Sequence, residues 1–319
     1  MTAVPSPARR TRAVESTSTW RTGDRIALAL CWVAGIALCV IAAAIVLYML
    51  YKGMQTLRPQ LLVERPADGS SQAHAGGFLD PLVGTLLLTT MGTAIALPLG
   101  VATALWIVEY GRPEALARAV ETGIEMVAGT PTIVLAIFGL AVFSQDAFGF
   151  LSFTAAGNAV FGRSFLIAAM MMSFIALPLV FGSTREALLA VPGHVREASY
   201  ALGKTKWATI RRVLLPSIRP GIATGTVLGM GRIAGDTAIV VILLGATLRL
   251  DAVGDAPLVS TLRGTGSTLT SYVYNNSPAG EGNAYDKAYA AAFVLLLVVI
   301  ALNLAVDVIG RGRRHGGRS

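Results

Sequence analysis

Arg232 and Asp236 are charged residues that lie deep within one of the long apolar segments of this 319-residue chain. Counted from Ile222, Arg232 lies about 15 Å along a helix, near the middle of a bilayer. A charge at that depth costs about 2.5–3.5 kcal/mol, so it must face a partner or a water-filled cavity. The planar guanidinium group can donate two hydrogen bonds to one tetrahedral oxyanion. Because the two residues share one predicted helical face, they indicate either an anion pathway or a structural ion pair that neutralises itself.

A second pattern lies in the hydrophilic segment 184–219. Residues 194–202 predict a short helix, and Gly203 can end that helix in a left-handed conformation. A second amphipathic helix is predicted to follow, and Pro216 and Pro220 are expected to end it. Its apolar face is formed by Trp207, Ile210, Val213 and Leu214. The bent pair could transmit a rigid-body movement to neighbouring helices, or it could lie on an anionic lipid surface.

Glycine recurs at every fourth position, at Gly221, Gly225 and Gly229, in the segment that carries Arg232. Small residues at this interval let two helix backbones approach closely in a lipid bilayer. We expect this face to pack against another helix. The alternative is that the glycines only make the segment flexible near a gate.

Long apolar runs, rather than an alternation of apolar and polar residues, dominate the chain. It is 54% hydrophobic and 14% charged, whereas soluble domains carry about 25% charged residues. A helix needs about 20 apolar residues to cross the hydrocarbon core. Six runs approach that length: Ile26–Tyr51, Leu82–Val108, Ile124–Phe143, Phe165–Phe181, Ile222–Ala246 and Ala288–Val306. The sequence therefore predicts an all-α integral membrane protein with about six transmembrane helices.

Basic residues are distributed unevenly between the segments that connect these runs. Most of the 26 Lys and Arg fall in the N-terminal region, the 109–119 and 184–219 loops and the C-terminal tail. This excess marks the cytoplasmic side, so both termini are predicted to be cytoplasmic. We expect a disordered cytoplasmic tail at 1–24, a transmembrane domain at 25–310 and a second cytoplasmic tail at 311–319.

Cofactor chemistry has few candidates in this sequence. Cys31 and Cys39 lie in the first apolar run, and the three histidines lie far apart, so no metal site is expected. Gly203-Lys204-Thr205 resembles the end of a phosphate-binding loop, but Ala198 stands where that motif requires glycine. The chain itself is therefore expected to bind neither ATP nor another cofactor. A membrane-embedded enzyme is disfavoured because no span carries paired carboxylates or a Ser–His pair.

The segment Glu197-Ala198-Ser199, followed at fixed spacing by Gly203 and Val213-Leu214-Leu215-Pro216, resembles the EAA loop of bacterial ABC importer permeases. Ser199 replaces an alanine of that pattern, and Val213 replaces an isoleucine. In that family the loop forms the coupling helix, which docks on a separate ATPase subunit. The resemblance implies this coupling role for Glu197, Ala198, Gly203, Val213, Leu215 and Pro216.

The string Gly231–Ala238 resembles the Arg-x-x-Gly-Glu-Thr signature of phosphate permeases, with Asp236 where that family usually has glutamate. Further similar stretches are Leu97–Gly100 with Glu109-Tyr110, Ala128–Val134 and Tyr285–Asp307, so the resemblance covers roughly residues 80–310. The string is closer to the PstA-type than to the PstC-type subunits of that family. It implies a substrate pathway at Arg232, Asp236 and Thr237.

The resemblance implies the permease fold of type I ABC importers and a subunit that is not itself an enzyme. The implied function is ATP-dependent import of inorganic phosphate across the bacterial inner (cytoplasmic) membrane. The alternatives are a permease for another oxyanion, such as phosphonate or sulfate, and a secondary anion transporter. The implied protein partners are a second permease of PstC type, a PstB-type ATPase dimer that holds ATP and Mg²⁺, and an extracytoplasmic PstS-type phosphate-binding protein. Nucleic acid is not expected, because orientation in the lipid membrane accounts for the basic residues.

Overall fold

The computed structural model describes residues 22–67, 76–152, 162–245, 261–278, 280 and 284–311. The described residues divide into two compact units, one that ends at Tyr51 and one that begins at Lys52. Of the tail predicted at 1–24, residues 1–21 lie outside the described residues, and residues 22–24 belong to a helix. Of the C-terminal tail predicted at 311–319, residues 312–319 lie outside the described residues.

Helices dominate both units. In chain order they are α1 (Thr22–Thr56), α2 (Pro59–Val63), α3 (Leu79–Leu105), α4 (Glu114–Gly129), α5 (Thr132–Phe143), α6 (Phe165–Leu189), α7 (Gly193–Ala201), α8 (Lys206–Thr209), α9 (Leu215–Gly235), α10 (Leu269–Asn276) and α11 (Tyr285–Arg311). Wide π-helical turns follow at Trp106–Tyr110, Ile210–Leu214 and Val240–Leu244, and a 3₁₀ turn lies at Asp146–Leu151. Within the described ranges there is no β-sheet, apart from one isolated bridge between Pro66 and Gly76.

Four described helices are long and apolar enough to cross a membrane: α1, α3 with its extension to Tyr110, α6 and α11. They correspond to the first, second, fourth and sixth predicted spans. Each is longer than predicted, most clearly α6, which continues past Phe181 to Leu189. The count becomes five if α4 and α5 are taken together as one bent span. The prediction of an all-α membrane protein is confirmed.

The third predicted span, Ile124–Phe143, is not one continuous helix. It is divided between α4 and α5, whose axes meet at an angle of 108°. Thr130 and Pro131 separate them in extended conformations, with ψ angles of 131° and 134°. Proline lacks an N–H group and disfavours helical geometry in the residue before it. The run was apolar enough to suggest a span, but the Thr130-Pro131 step breaks it.

The fifth predicted span, Ile222–Ala246, is also wrong as a continuous helix. α9 begins earlier, at Leu215, and ends at Gly235. Asp236 is extended, with φ −77° and ψ 130°, and a further short helix occupies residues 238–244. α9 is not among the four helices that are apolar enough to span alone, because its arginines, prolines and glycines dilute the apolar residues.

α6 forms the centre of the second unit. Of the 18-residue apolar stretch of α6, 56% is buried, against 28% of the corresponding stretch of α3 and 22% of that of α11. Its buried side chains pack with Leu88 of α3 and with Ile233 of α9, and they include Ile167, Ala168, Met171 and Met172. Burial on this scale makes α6 the fixed element against which α3 and α9 are positioned.

The three glycines at every fourth position of α9 lie against α6. A Cβ atom at Gly221 would overlap the Cβ of Ala187, and one at Gly225 would lie 3.0 Å from the Cα of Val180. At Gly229 it would lie 3.3 Å from the Cβ of Ala176. The Ser183 hydroxyl donates a hydrogen bond of 2.8 Å to the Gly221 carbonyl across the same contact. The absence of side chains at these positions lets the two backbones approach this closely.

Gly221→Ala is expected to lower the midpoint of thermal unfolding of the detergent-purified protein. The new methyl group must displace α6, and such overpacking costs about 1–3 kcal/mol. Gly231→Ala is the matched control, because nothing lies within 4 Å of a Cβ atom at Gly231. The packing interpretation fails if both variants unfold at the wild-type temperature.

Candidate functional site

α7 and α8 form a hairpin around Gly203. Gly203 has φ +73°, the left-handed conformation that glycine adopts without steric cost. Its N–H donates to the Tyr200 carbonyl (2.9 Å), and the N–H of Lys204 donates to the Ser199 carbonyl (3.3 Å). The Thr205 hydroxyl then accepts from the N–H of Ala208, which starts α8. The turn between the two arms is therefore specified by local backbone chemistry.

A buried hydrogen bond joins the two arms of the hairpin. The hydroxyls of Ser199 and Thr209 lie 2.8 Å apart, and both residues are buried. Ser199 occupies the position at which the EAA pattern has alanine, and alanine cannot make this bond. The substitution therefore adds a polar connection between α7 and α8.

The second arm continues into α9. The sequence predicted that Pro216 and Pro220 would end the helix, and that prediction is wrong: residues 206–235 are helical throughout. The wide turn at Ile210–Leu214 shifts the hydrogen bonds, so that the N–H of Leu215 donates to the Ile210 carbonyl. Pro216 stands just after this turn, within the first turn of α9, where a missing N–H disturbs the hydrogen bonding least. Only residues 190–214 connect α6 to α9, rather than the whole predicted loop 184–219.

The apolar side chains of the second arm do not share one environment. Ile210 and Leu214 are buried in a cluster with Phe181, Leu188 and Ile218. Leu215 is half-buried against this cluster, Val213 is half-buried, and Pro216 is exposed. Trp207 was predicted on the same face, but it is 62% exposed.

Arg196 ties the hairpin to two membrane helices. Its Nε donates to Oε1 of Glu109 at 3.0 Å, in the wide turn after α3. Its two remaining nitrogens donate to carbonyls at the end of α6, Nη1 to Val191 at 2.8 Å and Nη2 to Leu188 at 2.9 Å. The Glu109 side chain is only 5% exposed, so its charge depends on Arg196 for compensation. Sequence analysis missed this pair, because 87 positions separate the two residues.

The outer surface of the hairpin is exposed and partly apolar. Glu197 and Ala198, the first two residues of the EAA pattern, are exposed on α7. Leu202 is 77% exposed, and Tyr200 is also exposed. Together with Trp207 these residues form a surface that a protein partner can cover.

Arg232 and Asp236 do not lie on one helical face. α9 ends between them, and Asp236 is buried. Its Oδ1 accepts a hydrogen bond of 2.9 Å from the N–H of Ile239, so Asp236 is the N-cap of the helix at 238–244. Thr237 follows it, half-buried, and its carbonyl accepts from the N–H of Val241. The predicted helical Arg–Asp arrangement is therefore wrong.

Arg232 lies on the exposed side of α9. It is in line with Thr224 and Leu228, which are also exposed. None of the ion pairs formed by the described residues includes Arg232. The self-neutralising pair with Asp236 is thus not formed, and the guanidinium group is available to a ligand or to another subunit.

A segment distant in sequence closes the broken end of α9. The Thr270 hydroxyl donates to the Ala234 carbonyl at 2.7 Å, and so satisfies one of the orphan carbonyls at the end of the helix. The N–H of Leu269 donates to Oγ1 of Thr85 in α3, at 2.8 Å. The break at Asp236 is therefore enclosed by α10, and sequence analysis did not identify Thr270 because no local pattern marks it.

A cavity of about 790 Å³ lies between α3, α9 and α11. Of its three threonine hydroxyls, that of Thr90 donates to the Leu86 carbonyl and that of Thr226 to the Ile222 carbonyl. The buried Thr93 hydroxyl has no hydrogen-bond partner among the described residues. Arg232 does not line it. The cavity is mainly apolar, and Arg219 is the charged residue of its lining. Across the described ranges no three His, Cys, Asp or Glu side chains are placed to hold a metal ion.

Asp236→Asn is expected to unfold at close to the wild-type temperature, because asparagine retains the oxygen that caps Ile239. Asp236→Ala removes that oxygen and should cost about 0.5–2 kcal/mol. Thermal unfolding of the purified protein measures both, with Asp286→Ala, an exposed carboxylate on α11, as the control. If Asn destabilises as much as Ala, the charge of Asp236 matters rather than its capping oxygen.

Comparison with known proteins places these features in a family. Residues 96–314 match the family described as binding-protein-dependent transport system inner membrane component. The phosphate transport system permease protein PstA 1 of Mycobacterium tuberculosis (strain H37Rv) is 34% identical over 238 residues, which are 75% of this chain and 71% of that protein. The phosphate transport system permease protein PstC of Xylella fastidiosa (strain 9a5c) is 29% identical over 293 residues, 88% of this chain and 86% of that protein.

Solved structures agree on the fold. A bacterial alginate ABC transporter in complex with its alginate-bound periplasmic protein includes a chain that matches with a TM-score of 0.63 at 18% identity, over 91% of this chain and 95% of that one. The inward-facing methionine transporter MetNI gives a TM-score of 0.53 at 20% identity, over 74% and 94%. The fold is that of ABC importer permeases, and this chain belongs to the binding-protein-dependent transport system inner membrane component family.

Proposed function

We propose that this chain is a permease subunit of an ATP-dependent importer of inorganic phosphate. Relatives at 29–34% identity, which include phosphate transport system permeases of both the PstA and PstC types, support this substrate. The PstA type is favoured because those permeases reach 34% identity and because of the Arg232–Ala238 string. The observation that carries the mechanism is the attachment of the hairpin to α3, α6 and α9. Nothing in the comparisons favours phosphonate or sulfate.

The proposed partners follow from what this chain supplies. Its exposed hairpin surface, Glu197, Ala198, Tyr200, Leu202 and Trp207, is the proposed docking site for an ATPase subunit. A PstB-type dimer there would hold ATP and Mg²⁺ and hydrolyse the nucleotide. A PstC-type permease and a PstS-type phosphate-binding protein complete the assembly. It would lie in the bacterial inner membrane, with the hairpin and both termini on the cytoplasmic side.

Movement of the ATPase would reach the membrane helices by two routes. Arg196 connects α7 to the ends of α3 and α6 through its three hydrogen bonds. α8 is continuous with α9 through the wide turn. Because packed helices move as units, displacement of the hairpin would displace α9 together with Arg232.

Arg232 is the proposed contact for the transported anion. It is exposed on α9 and is not engaged in an ion pair with any described residue. A guanidinium group offers paired donors to a tetrahedral oxyanion. A second permease packed against the exposed side of α9 would enclose a path beside it. Asp236 and Thr237, which form the break after α9, would shape the end of that path.

The proposed function is tested by reconstituting the complete assembly in liposomes and measuring uptake of radioactive phosphate. Uptake should require ATP and the loaded binding protein, and a large excess of sulfate or phosphonate should not compete. Phosphate uptake that persists without the ATPase subunits would contradict the proposal and favour a secondary transporter.

Arg196→Ala should separate ATP hydrolysis from transport. The variant leaves Glu109 buried and uncompensated and loosens the hairpin, at a cost of about 3–5 kcal/mol for a fully buried pair and less for this partly exposed one. We expect phosphate uptake to fall at least tenfold while basal ATPase activity is retained. Arg196→Lys keeps the charge but not the three-way contact, and should be intermediate.

The matched control is Arg118→Ala, which removes an exposed arginine of α4. It should transport normally. If Arg196→Ala, Arg118→Ala and wild type import the same amount of phosphate per ATP hydrolysed, the Arg196–Glu109 connection carries no movement.

Arg232→Ala is expected to reduce phosphate uptake by an order of magnitude or more, because the oxyanion loses its paired donors. Arg232→Lys keeps one positive charge and should retain part of the uptake. ATPase activity stimulated by the loaded binding protein, measured in parallel, reports whether the assembly is intact. Near-normal uptake by both variants would remove Arg232 from the pathway.

A further inference from the structure

A cleft of about 700 Å³ opens beside the hairpin. It is lined by Trp106, Glu109 and Tyr110 of the wide turn after α3, by Arg112 and by Lys206. Trp106 and Glu109 are half-buried, whereas Tyr110 and Arg112 are exposed. The cleft therefore lies between the end of a membrane helix and the second arm of the hairpin.

Local backbone geometry brings the lining residues together. Gly111 adopts φ +51°, and its N–H donates to the Trp106 carbonyl at 2.8 Å, which ends the wide turn. Arg112 therefore follows directly at the rim. On the other side, Lys206 is the first residue of α8, and its Nζ lies 4.6 Å from the centre of the Tyr110 ring. This cation–π contact holds the ammonium group over the cleft.

The cleft carries an excess of positive charge. Glu109 is the acidic residue of the lining, and its carboxylate is already paired with Arg196 at 3.0 Å. Neither Arg112 nor Lys206 belongs to an ion pair among the described residues. Two cations thus border an open cleft in which the nearby negative charge is neutralised. An anion placed there would be attracted by both positive charges.

We propose that this cleft binds a phosphate group at the hairpin end of the protein. A planar guanidinium and a lysine ammonium together suit phosphate oxygens. Aromatic residues at the end of a membrane helix are typical of the headgroup level. Basic pockets between helices on the cytoplasmic side bind anionic headgroups. The phosphate group belongs either to an anionic lipid or to free inorganic phosphate, and its placement in the cytoplasmic leaflet rests on the proposed function.

Occupation of the cleft would affect the coupling hairpin. Arg112 belongs to the chain that leaves α3, and Lys206 belongs to α8, so one phosphate group that contacts both would bridge the two elements. The bridge would run beside the Arg196–Glu109 pair and add to the stiffness of the same joint. An anionic lipid there would make coupling dependent on membrane composition, whereas free phosphate there would make it respond to the imported ion.

The test uses the complete assembly in nanodiscs and follows its midpoint of thermal unfolding. One arm compares discs of phosphatidylcholine with discs that contain phosphatidylglycerol. The other arm titrates inorganic phosphate into the phosphatidylcholine discs. In wild type, phosphatidylglycerol or inorganic phosphate should raise the unfolding midpoint. The double variant Arg112→Gln with Lys206→Gln should weaken the apparent affinity for that ligand at least tenfold. Arg118→Gln with Arg211→Gln removes two exposed arginines and should behave as wild type.

Further variants keep the outcome interpretable. Arg112→Gln alone changes an exposed side chain and should fold, with part of the loss, while Lys206→Arg should retain binding. In the phosphate arm, the shift should persist in Arg232→Ala, which separates the cleft from the proposed pathway. No shift in either arm, or equal shifts in the double variant and its control, would overturn the proposal. Loss of the ATPase subunit from the double variant without any lipid or phosphate effect would also overturn it, and would show a protein contact instead.

A failure of the proposed phosphate binding in the cleft can be distinguished from a failure of the proposed function. Normal ATP-dependent phosphate uptake with no shift in either arm rejects the cleft alone. The lipid arm does not depend on which anion is transported, so it can succeed in an assembly that imports a different anion.

Discussion

The guanidinium group of Arg196 fixes the hairpin to the ends of two membrane helices. It contacts the carboxylate of Glu109 after α3 and two carbonyls at the end of α6. Because Glu109 is almost completely buried, separation of the pair would leave an uncompensated charge in a poorly hydrated place, which is far costlier than the loss of a surface ion pair. The hairpin therefore cannot tilt freely on the ends of these helices. Its position and the positions of α3 and α6 are constrained by one planar group.

α9 converts that local constraint into a longer connection. The wide turn at Ile210–Leu214 lets α8 pass into α9 without a break, and the glycine face of α9 lies directly on α6. Close backbone packing resists sliding, because side chains of α6 fill the space above each glycine. Hydrogen bonds and close packing therefore link the hairpin, α6 and α9 up to Gly235, where α9 ends. A second ion pair, Arg185 with Glu121 at 2.8 Å, joins α6 to α4 on the same side of the protein.

The parts of the fold that sequence predicted correctly depend on local rules. Long apolar runs identified four membrane helices. The preference of glycine for the left-handed conformation at a helix end located the end of α7, where Gly203 has a positive φ. The errors arose where neighbouring structure changed the rule. Pro216 reads as a helix stop, but a wide turn just before it accommodates the missing N–H. The spacing of Arg232 and Asp236 implied one face only on the assumption of an unbroken helix. The Arg196–Glu109 and Thr270–Ala234 contacts join distant segments, so no periodicity could indicate them.

The aspartate at position 236 stabilises the break that follows α9. Phosphate permeases, which this string resembles, usually have glutamate there, but an N-cap requires an oxygen that reaches the N–H three residues later, and aspartate does so at 2.9 Å. On the other side of the break, the Thr270 hydroxyl satisfies a carbonyl of α9. Interrupted helices are tolerated in membrane proteins when other groups take up the freed backbone atoms. Both sides of this interruption have such groups within the chain. The carboxylate is thereby occupied by the backbone, so Asp236 does not neutralise Arg232, which lies one turn earlier on α9.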